Sequence, residues 1–164
     1  MVKRNTTLAN MDNTQTPSDA VAARVKQVRK RRGLRVADLA ARCAALGAPQ
    51  LTAQALYKLE ARRPGKLRPR PVTVDELLAL ALALNVAPVH LLVPPDDSDA
   101  PYQITQTVTV TSRFVARGWI RGVAPLSGDR REFDTEEPEN EYYSPGRLDA
   151  PPVQGRWMRP EEES

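Results

Sequence analysis

Apolar residues in the first half of the chain recur with the period of an α-helix. Val21, Val25 and Val28 stand at i, i+4 and i+7, so they share one face of a helix. Ser18 is a suitable N-cap for this first helix, which we expect to run to about Arg32. The pattern predicts an amphipathic helix with a buried valine face.

Two further helices follow in the same way. Gly33 is a stop signal for the first helix, and apolar residues on one side of 36–46 predict a second. Residues 47–49, Gly-Ala-Pro, break that second helix. Thr52 is a suitable N-cap for a third helix over 53–61.

The fourth helix has the clearest start signal in the chain. Thr73 and Glu76 have the spacing of a capping box, and the leucine-rich run after them predicts a helix to about Asn85. A short fifth helix is predicted over Pro88–Leu92, beginning at a proline. The sequence therefore predicts an all-α domain of five short helices.

The second half of the chain has a different pattern. Residues 104–110 alternate apolar and polar side chains, which predicts a strand, and 113–122 could form a second strand paired with it. Prolines and acidic blocks after residue 125 indicate disorder. The predicted organisation is a flexible arm (1–17), a helical domain (18–95), a linker (96–101), a small β segment (102–124) and a disordered acidic, proline-rich tail (125–164).

Charge divides the chain into a basic and an acidic part. Residues 19–70 contain fourteen Lys/Arg and three Asp/Glu, a net charge of +11. Residues 128–164 contain five Arg and eleven Asp/Glu, a net charge of −6. A basic folded region indicates a polyanionic partner, and the acidic tail could compete for the same surface.

The reactive residues needed for catalysis or metal binding are scarce. Cys43 and His90 are the single cysteine and histidine, so we expect no cofactor, no metal and no enzymatic activity. Cys43 lies on the apolar side of the second helix, and we expect it in the core. A self-cleaving Ser–Lys pair in the C-terminal half is excluded because Lys66 is the last lysine. No secretory signal or membrane-spanning run is present, so we expect a cytoplasmic protein.

The third helix has two unlike faces. At about 100° per residue, Leu56 and Leu59 lie on an aliphatic side. Gln54, Tyr57 and Lys58 lie on the opposite side, which could be a solvated face or a binding face. A cluster of cations follows, as a solvated loop or as an anion-binding segment: Arg62, Arg63, Lys66, Arg68 and Arg70.

Three stretches in order resemble the Xre/Cro-type helix-turn-helix domain of phage repressors. They are ARVKQVRKRRGLRVADLA at 23–40, LTAQALYKLEARR at 51–63 and TVDELLALALALNVAPVHLL at 73–92. The resemblance implies a lambda-repressor-like five-helix fold. The stretch between the second and third helices is longer than usual, as in a form common among actinomycete regulators, and it fits an extended second helix.

The resemblance also implies roles for individual residues. The helix at 52–61 would enter the major groove of double-stranded DNA. Base contacts would come from Ala53, Gln54, Tyr57 and Lys58. Phosphate contacts would come from Arg35, Thr52, Arg62, Arg63, Lys66, Arg68 and Arg70. Arg29 and Glu60 match a structural ion pair of the family.

Three positions depart from the family pattern. Arg35 replaces the usual Ser/Thr N-cap of the second helix, and Val36 replaces a frequent glutamine. Ala53 stands where the family often has glutamine, so one direct base contact is expected to be missing. Gln54 and Lys58 would then supply most of the base discrimination.

These observations predict a transcriptional regulator, a repressor, that acts at the nucleoid as a homodimer. The dimer contact could involve the fifth helix, through Val89, Leu91 and Leu92, or the strand Ile104–Val110. The alternative is a protein-interaction adaptor, in which the helical domain is a scaffold and residues 102–164 bind a partner protein.

Overall fold

A computed structural model describes residues 16–62, 70–96, 99–127 and the single residue 133. Most of the predicted arm (1–17) and of the predicted tail (125–164) lies outside these residues, which include only 16–17 of the arm and 125–127 and 133 of the tail. The chain divides into two compact units, residues 1–127 and 128–164, and the elements below belong to the first. No helix in the described part is long and apolar enough to cross a membrane.

The described part is mainly helical with one small antiparallel sheet, so the predicted fold is confirmed at this level. Its elements are α1 (Pro17–Arg31), α2 (Val36–Ala45), α3 (Ala53–Glu60), α4 (Val74–Ala83), α5 (Pro88–Leu92), β1 (Tyr102–Gln103), β2 (Thr109–Val110) and α6 (Arg113–Ile120).

Helices α1 to α5 surround one aliphatic core. Each helix contributes at least one fully buried side chain: Val25, Leu39, Leu56, Leu80 and Leu91. Burying a side chain of this size contributes about 1.5–3 kcal/mol. The helical period of the sequence therefore identified the faces that meet in the core.

Helix α1 starts earlier than predicted. Thr16, not Ser18, is the N-cap: its Oγ1 accepts from the Asp19 N–H at 3.2 Å, and the Asp19 carboxylate accepts from the Thr16 N–H at 3.1 Å. Pro17 occupies the first turn, where its missing N–H costs nothing. Ser18 Oγ instead accepts from the Val72 N–H at 3.1 Å and so ties the start of α1 to the segment before α4.

The connection between α2 and α3 is long, as expected. Helix α2 runs to Ala45 and is followed by Gly47 at φ +85°, a conformation that favours glycine. Ala48 and Leu51 are buried within the connection, so it is packed against the core. Thr52 Oγ1 then accepts from the Ala55 N–H at 3.2 Å and caps α3.

Helix α4 begins with the predicted capping box. Thr73 Oγ1 accepts from the Glu76 N–H at 3.2 Å, and the Glu76 carboxylate accepts from the Thr73 N–H at 3.1 Å. The helix ends at Ala83, slightly before the predicted Asn85. Helix α5 has the predicted bounds, Pro88–Leu92.

The prediction of a second strand at 113–122 is wrong, because residues 113–120 form α6. Ser112 caps the helix by accepting from the Val115 N–H at 3.2 Å. Ala116 and Ile120, four residues apart, then pack on the same side, an arrangement that a helix allows. The predicted strand at 104–110 is reduced to β2, which pairs with β1 through Tyr102–Val110 and Gln103–Thr109.

Helix α6 and the small sheet form a second cluster that packs on α1 and on the end of α5. Its buried members are Ala20, Val93, Tyr102 and Ala116. The Tyr102 hydroxyl donates to the Leu92 carbonyl at 2.9 Å, which joins this cluster to the helical domain. Residues 102–120 are therefore attached to the helical core rather than separate from it.

Candidate nucleic-acid interface

Helix α3 presents the two faces that its sequence predicts. Leu56 is fully buried and Leu59 packs against the core. Gln54 and Lys58 are exposed, and 62% of Tyr57 is exposed to solvent. The exposed face therefore presents an amide, a phenol and an ammonium group side by side.

Ala53 is the least accessible of the four predicted reading residues. It is half-buried and packs against the core, so it has no polar group and little free surface to offer. Gln54 is thus the first exposed residue of the helix that can form a directed hydrogen bond.

Arg29 and Glu60, which the resemblance pairs, form a two-pronged ion pair between α1 and the end of α3. Arg29 Nε lies 2.6 Å from Glu60 Oε1, and the second guanidinium nitrogen lies 2.7 Å from Oε2. The side chains are only 11% and 6% exposed. The hydrogen bonds that Arg29 donates to the Glu60 carboxylate raise the pKa of Arg29, despite the opposing effect of burial.

The Arg29–Glu60 pair also removes negative charge from the exposed face of α3. Glu60 is the single acidic residue between positions 51 and 62, and its carboxylate is directed into the domain. No carboxylate therefore remains on the outer side of α3, which keeps that side compatible with an anionic partner.

Arg62, one of the predicted phosphate contacts, is engaged by other groups of the domain. Its side chain is 6% exposed, with Nε 3.0 Å from Asp19 Oδ1. A second guanidinium nitrogen donates to the Arg70 carbonyl at 2.8 Å. Burial disfavours the charged carboxylate of Asp19, yet hydrogen bonds from Thr16 and Arg62 outweigh this and lower its pKa. The arginine therefore joins α1 to the end of α3, and little of its side chain is exposed.

Other predicted phosphate contacts remain accessible. Arg70 is 66% exposed although it pairs with Glu76, and Arg35 is 83% exposed although it pairs with Asp38 at 3.0 Å. Thr52 is exposed while its hydroxyl caps α3. The predicted contacts Arg63, Lys66 and Arg68 lie outside the described residues.

Lys26 is a cation of this surface that the sequence reading missed. It is exposed on α1, and its Nζ lies 3.5 Å from the Glu60 carbonyl at the end of α3. Lys26 stands three residues before Arg29, so both reach towards the same helix end. The three-residue spacing from Arg29 is the sequence signal that could have identified Lys26 as a cation near the end of α3.

The single cysteine and histidine are engaged within the fold. Cys43 is fully buried, and burial raises the pKa of its thiol to about 11. Half-buried His90 has Nε2 2.7 Å from a guanidinium nitrogen of Arg121. Burial and nearby arginines lower the pKa of His90. The described part of the chain contains no group of three or more His, Cys, Asp or Glu that could hold a metal ion.

The residues predicted for a dimer contact are largely used inside the protomer. Leu91 is fully buried in the core, so it cannot serve. Leu92, Ile104 and Val110 pack against the second cluster. Of the predicted strand, Val108 retains a large exposed apolar surface.

In comparisons with known proteins, the chain matches no family model, no curated protein and no solved structure.

Proposed function

We propose that the protein is a sequence-specific DNA-binding regulator of transcription, a repressor that acts in the cytoplasm at the nucleoid. In this proposal α2 and α3 are the two helices of a helix-turn-helix unit of the Xre/Cro type, and α3 lies in the major groove. The observation that carries it is the exposed face of α3, where Gln54, Tyr57 and Lys58 stand above a buried, paired Glu60.

The exposed groups have the chemistry of base recognition. A glutamine amide can donate and accept at adenine, and a lysine ammonium can donate to guanine O6 and N7 or to a phosphate. A well-formed contact of this kind contributes about 1–3 kcal/mol of discrimination against the wrong base. Gln54 is the main candidate for discrimination because it alone on this face offers both a donor and an acceptor in a fixed plane.

Affinity comes from phosphate contacts around this helix. Lys26, Arg35 and Arg70 are exposed, and Arg63, Lys66 and Arg68 add three positive charges to the segment after α3. Such contacts release counterions, so binding falls steeply with salt. A single module of this size buries little DNA surface, so we expect two copies on a two-fold operator.

A salt-titrated binding assay with genomic fragments, including the promoter of the protein's own gene, tests the proposal. We expect a small set of fragments to be retained at salt concentrations that release the rest. Arg35→Ala, which removes a cation that is 83% exposed, should shift release of all fragments to lower salt. Equal, weak retention of every fragment contradicts the proposal.

The second candidate is a protein-interaction adaptor, favoured by the exposed face of α6. Phe114 is 70% exposed and the next residue, Val115, is 39% exposed; Val123, beyond the end of the helix, also presents apolar surface to solvent. Scattered apolar residues are normal, but neighbouring ones mark interaction sites. If the protein is an adaptor, Phe114→Glu should abolish partner binding and Gln54→Ala should leave partner binding unchanged. If it is a regulator, Gln54→Ala should abolish operator recognition.

A further inference from the structure

The outward face of α4 is apolar. Its exposed residues are Val74, Asp75, Leu78 and Leu82. The three aliphatic side chains are 70%, 45% and 44% exposed. They stand at i, i+4 and i+8, so they form one stripe about 12 Å long. Surface helices normally turn charged and polar residues outward, and a contiguous apolar stripe indicates an interaction surface.

This face also lies in a part of the chain without cations. Residues 71–112 contain no lysine or arginine, whereas residues 19–70 carry a net charge of +11. Two copies of the protein repel each other where their basic surfaces meet. Helix α4 itself thus carries no cation, and the arginines that reach it lie at its ends: Arg70 pairs with Glu76, and Arg42 and Arg32 donate to the Ala83 and Asn85 carbonyls.

The two ends of the stripe differ in charge. Asp75 is exposed in the first turn of α4. At the other end, exposed Arg32 of α1 donates to the Asn85 carbonyl at 3.1 Å. Antiparallel pairing of two α4 helices directs Asp75 of each copy towards the Arg32 end of the other. Parallel pairing would bring like charges together, so complementarity favours the antiparallel arrangement.

We propose that α4 is a self-association surface on which two copies of the chain pack antiparallel. Leu78 lies near the two-fold axis, and Val74 of each copy contacts Leu82 of the other, the isologous arrangement of a symmetric dimer. Three aliphatic residues per copy form a small interface, and interfaces below about 1,200 Å² are typical of weak, reversible association. The inference concerns the free protein and is independent of what α3 binds.

Sedimentation velocity of the full chain without DNA tests the surface. We expect the mean mass of the wild type to rise with concentration, and the Leu78→Glu variant to stay monomeric. Phe114→Glu is the matched control, because it places the same charge on an exposed apolar residue of α6. Unchanged circular dichroism shows that each variant is folded. A wild type that stays monomeric, or association lost in Phe114→Glu and kept in Leu78→Glu, overturns the proposal.

Disulfide trapping tests the orientation. Leu78→Cys should form a covalent dimer on mild oxidation, because the two copies of residue 78 face each other at the axis. Val74→Cys alone should not, whereas an equal mixture of Val74→Cys and Leu82→Cys chains should. The wild type is the blank, since Cys43 is fully buried. If Val74→Cys and Leu78→Cys each form disulfide-linked dimers equally well, the two helices are parallel. If Leu78→Cys forms no disulfide-linked dimer, the α4 helices are not in contact. Either result contradicts the proposal.

Discussion

Three carboxylates are largely buried in the helical domain, and each one forms an ion pair with an arginine. Glu60 pairs with Arg29, Asp19 with Arg62, and Glu76 with Arg70. A buried charge is tolerated only when it is paired, so losing one partner leaves the other uncompensated. The first two pairs join α1 to the end of α3 and so position its exposed face, and the third ties the segment before α4 to that helix.

Replacing Glu60 with glutamine should destabilise the domain. Arg29 would keep its buried charge and lose its anionic partner, a loss of about 2–4 kcal/mol in the free energy of unfolding. Urea unfolding followed by circular dichroism measures this. Asp38→Asn is the control, because it breaks an ion pair whose arginine is 83% exposed. Equal effects of the two variants would show that burial of the Arg29–Glu60 pair has no energetic importance.

Stability should fall in acid, partly through Glu76. Burial disfavours its charged form, but hydrogen bonds from Arg70 and the Thr73 N–H prevail and lower its pKa from the ordinary 4.5. A carboxylate with a lowered folded pKa stabilises the protein above its unfolded value, and this contribution disappears as pH falls through the folded pKa. We therefore expect the free energy of unfolding to decline below about pH 4.5.

The Glu76→Gln variant should show a shallower decline over that range, although Asp19 adds a similar dependence in both proteins. Asp75→Asn, which removes an exposed neighbouring carboxylate, is the control for the loss of one acidic group. Parallel pH profiles of wild type and Glu76→Gln would contradict the assignment.

At the scale of elements, the sequence identified α1 to α5 because their signals are local. Apolar spacing and the Thr73–Glu76 box act within one or two helical turns. Helix α6 was misjudged because its eight residues combine β-branched and aromatic side chains, and Trp119-Ile120 fits either structure. Its packing against Val93 and Tyr102, distant in sequence, decides the outcome.

The candidate site likewise has features that local sequence predicts and features that depend on distant residues. The two faces of α3 follow from the helical period alone. The burial of the Arg62 side chain does not follow from the helical period, because it depends on hydrogen bonds to Asp19, 43 residues earlier, and to the carbonyl of Arg70. Composition could not separate Arg62 from the accessible arginines near it.

The cap of α6 provides a prediction at this scale. Ser112→Ala removes the acceptor for the Val115 N–H and should cost about 1 kcal/mol, the usual value for a lost N-cap. Ser112→Thr, which keeps the hydroxyl, is the control and should cost less. Thermal unfolding measures both, and a Ser112→Ala variant as stable as the wild type would contradict the cap assignment.

For the whole molecule, the separation of charge suggests internal competition for the basic surface. Residues 128–164 carry a net charge of −6 against +11 in residues 19–70. If the acidic segment competes with DNA, deleting residues 128–164 should raise DNA affinity, most strongly at low salt where attraction is least screened. Fluorescence anisotropy with a labelled duplex measures this, and unchanged affinity would show that the segment does not compete.

The central claim is that Gln54 reads bases from the exposed face of α3. Its most direct test is the ratio of affinities for a selected operator and for random DNA, measured at fixed salt for wild type, Gln54→Ala and the exposed-residue control Gln106→Ala. We predict that Gln54→Ala lowers this ratio about 5- to 150-fold, the equivalent of 1–3 kcal/mol, while affinity for random DNA stays unchanged. An unchanged ratio in Gln54→Ala, or an equal loss in Gln106→Ala, would contradict the claim.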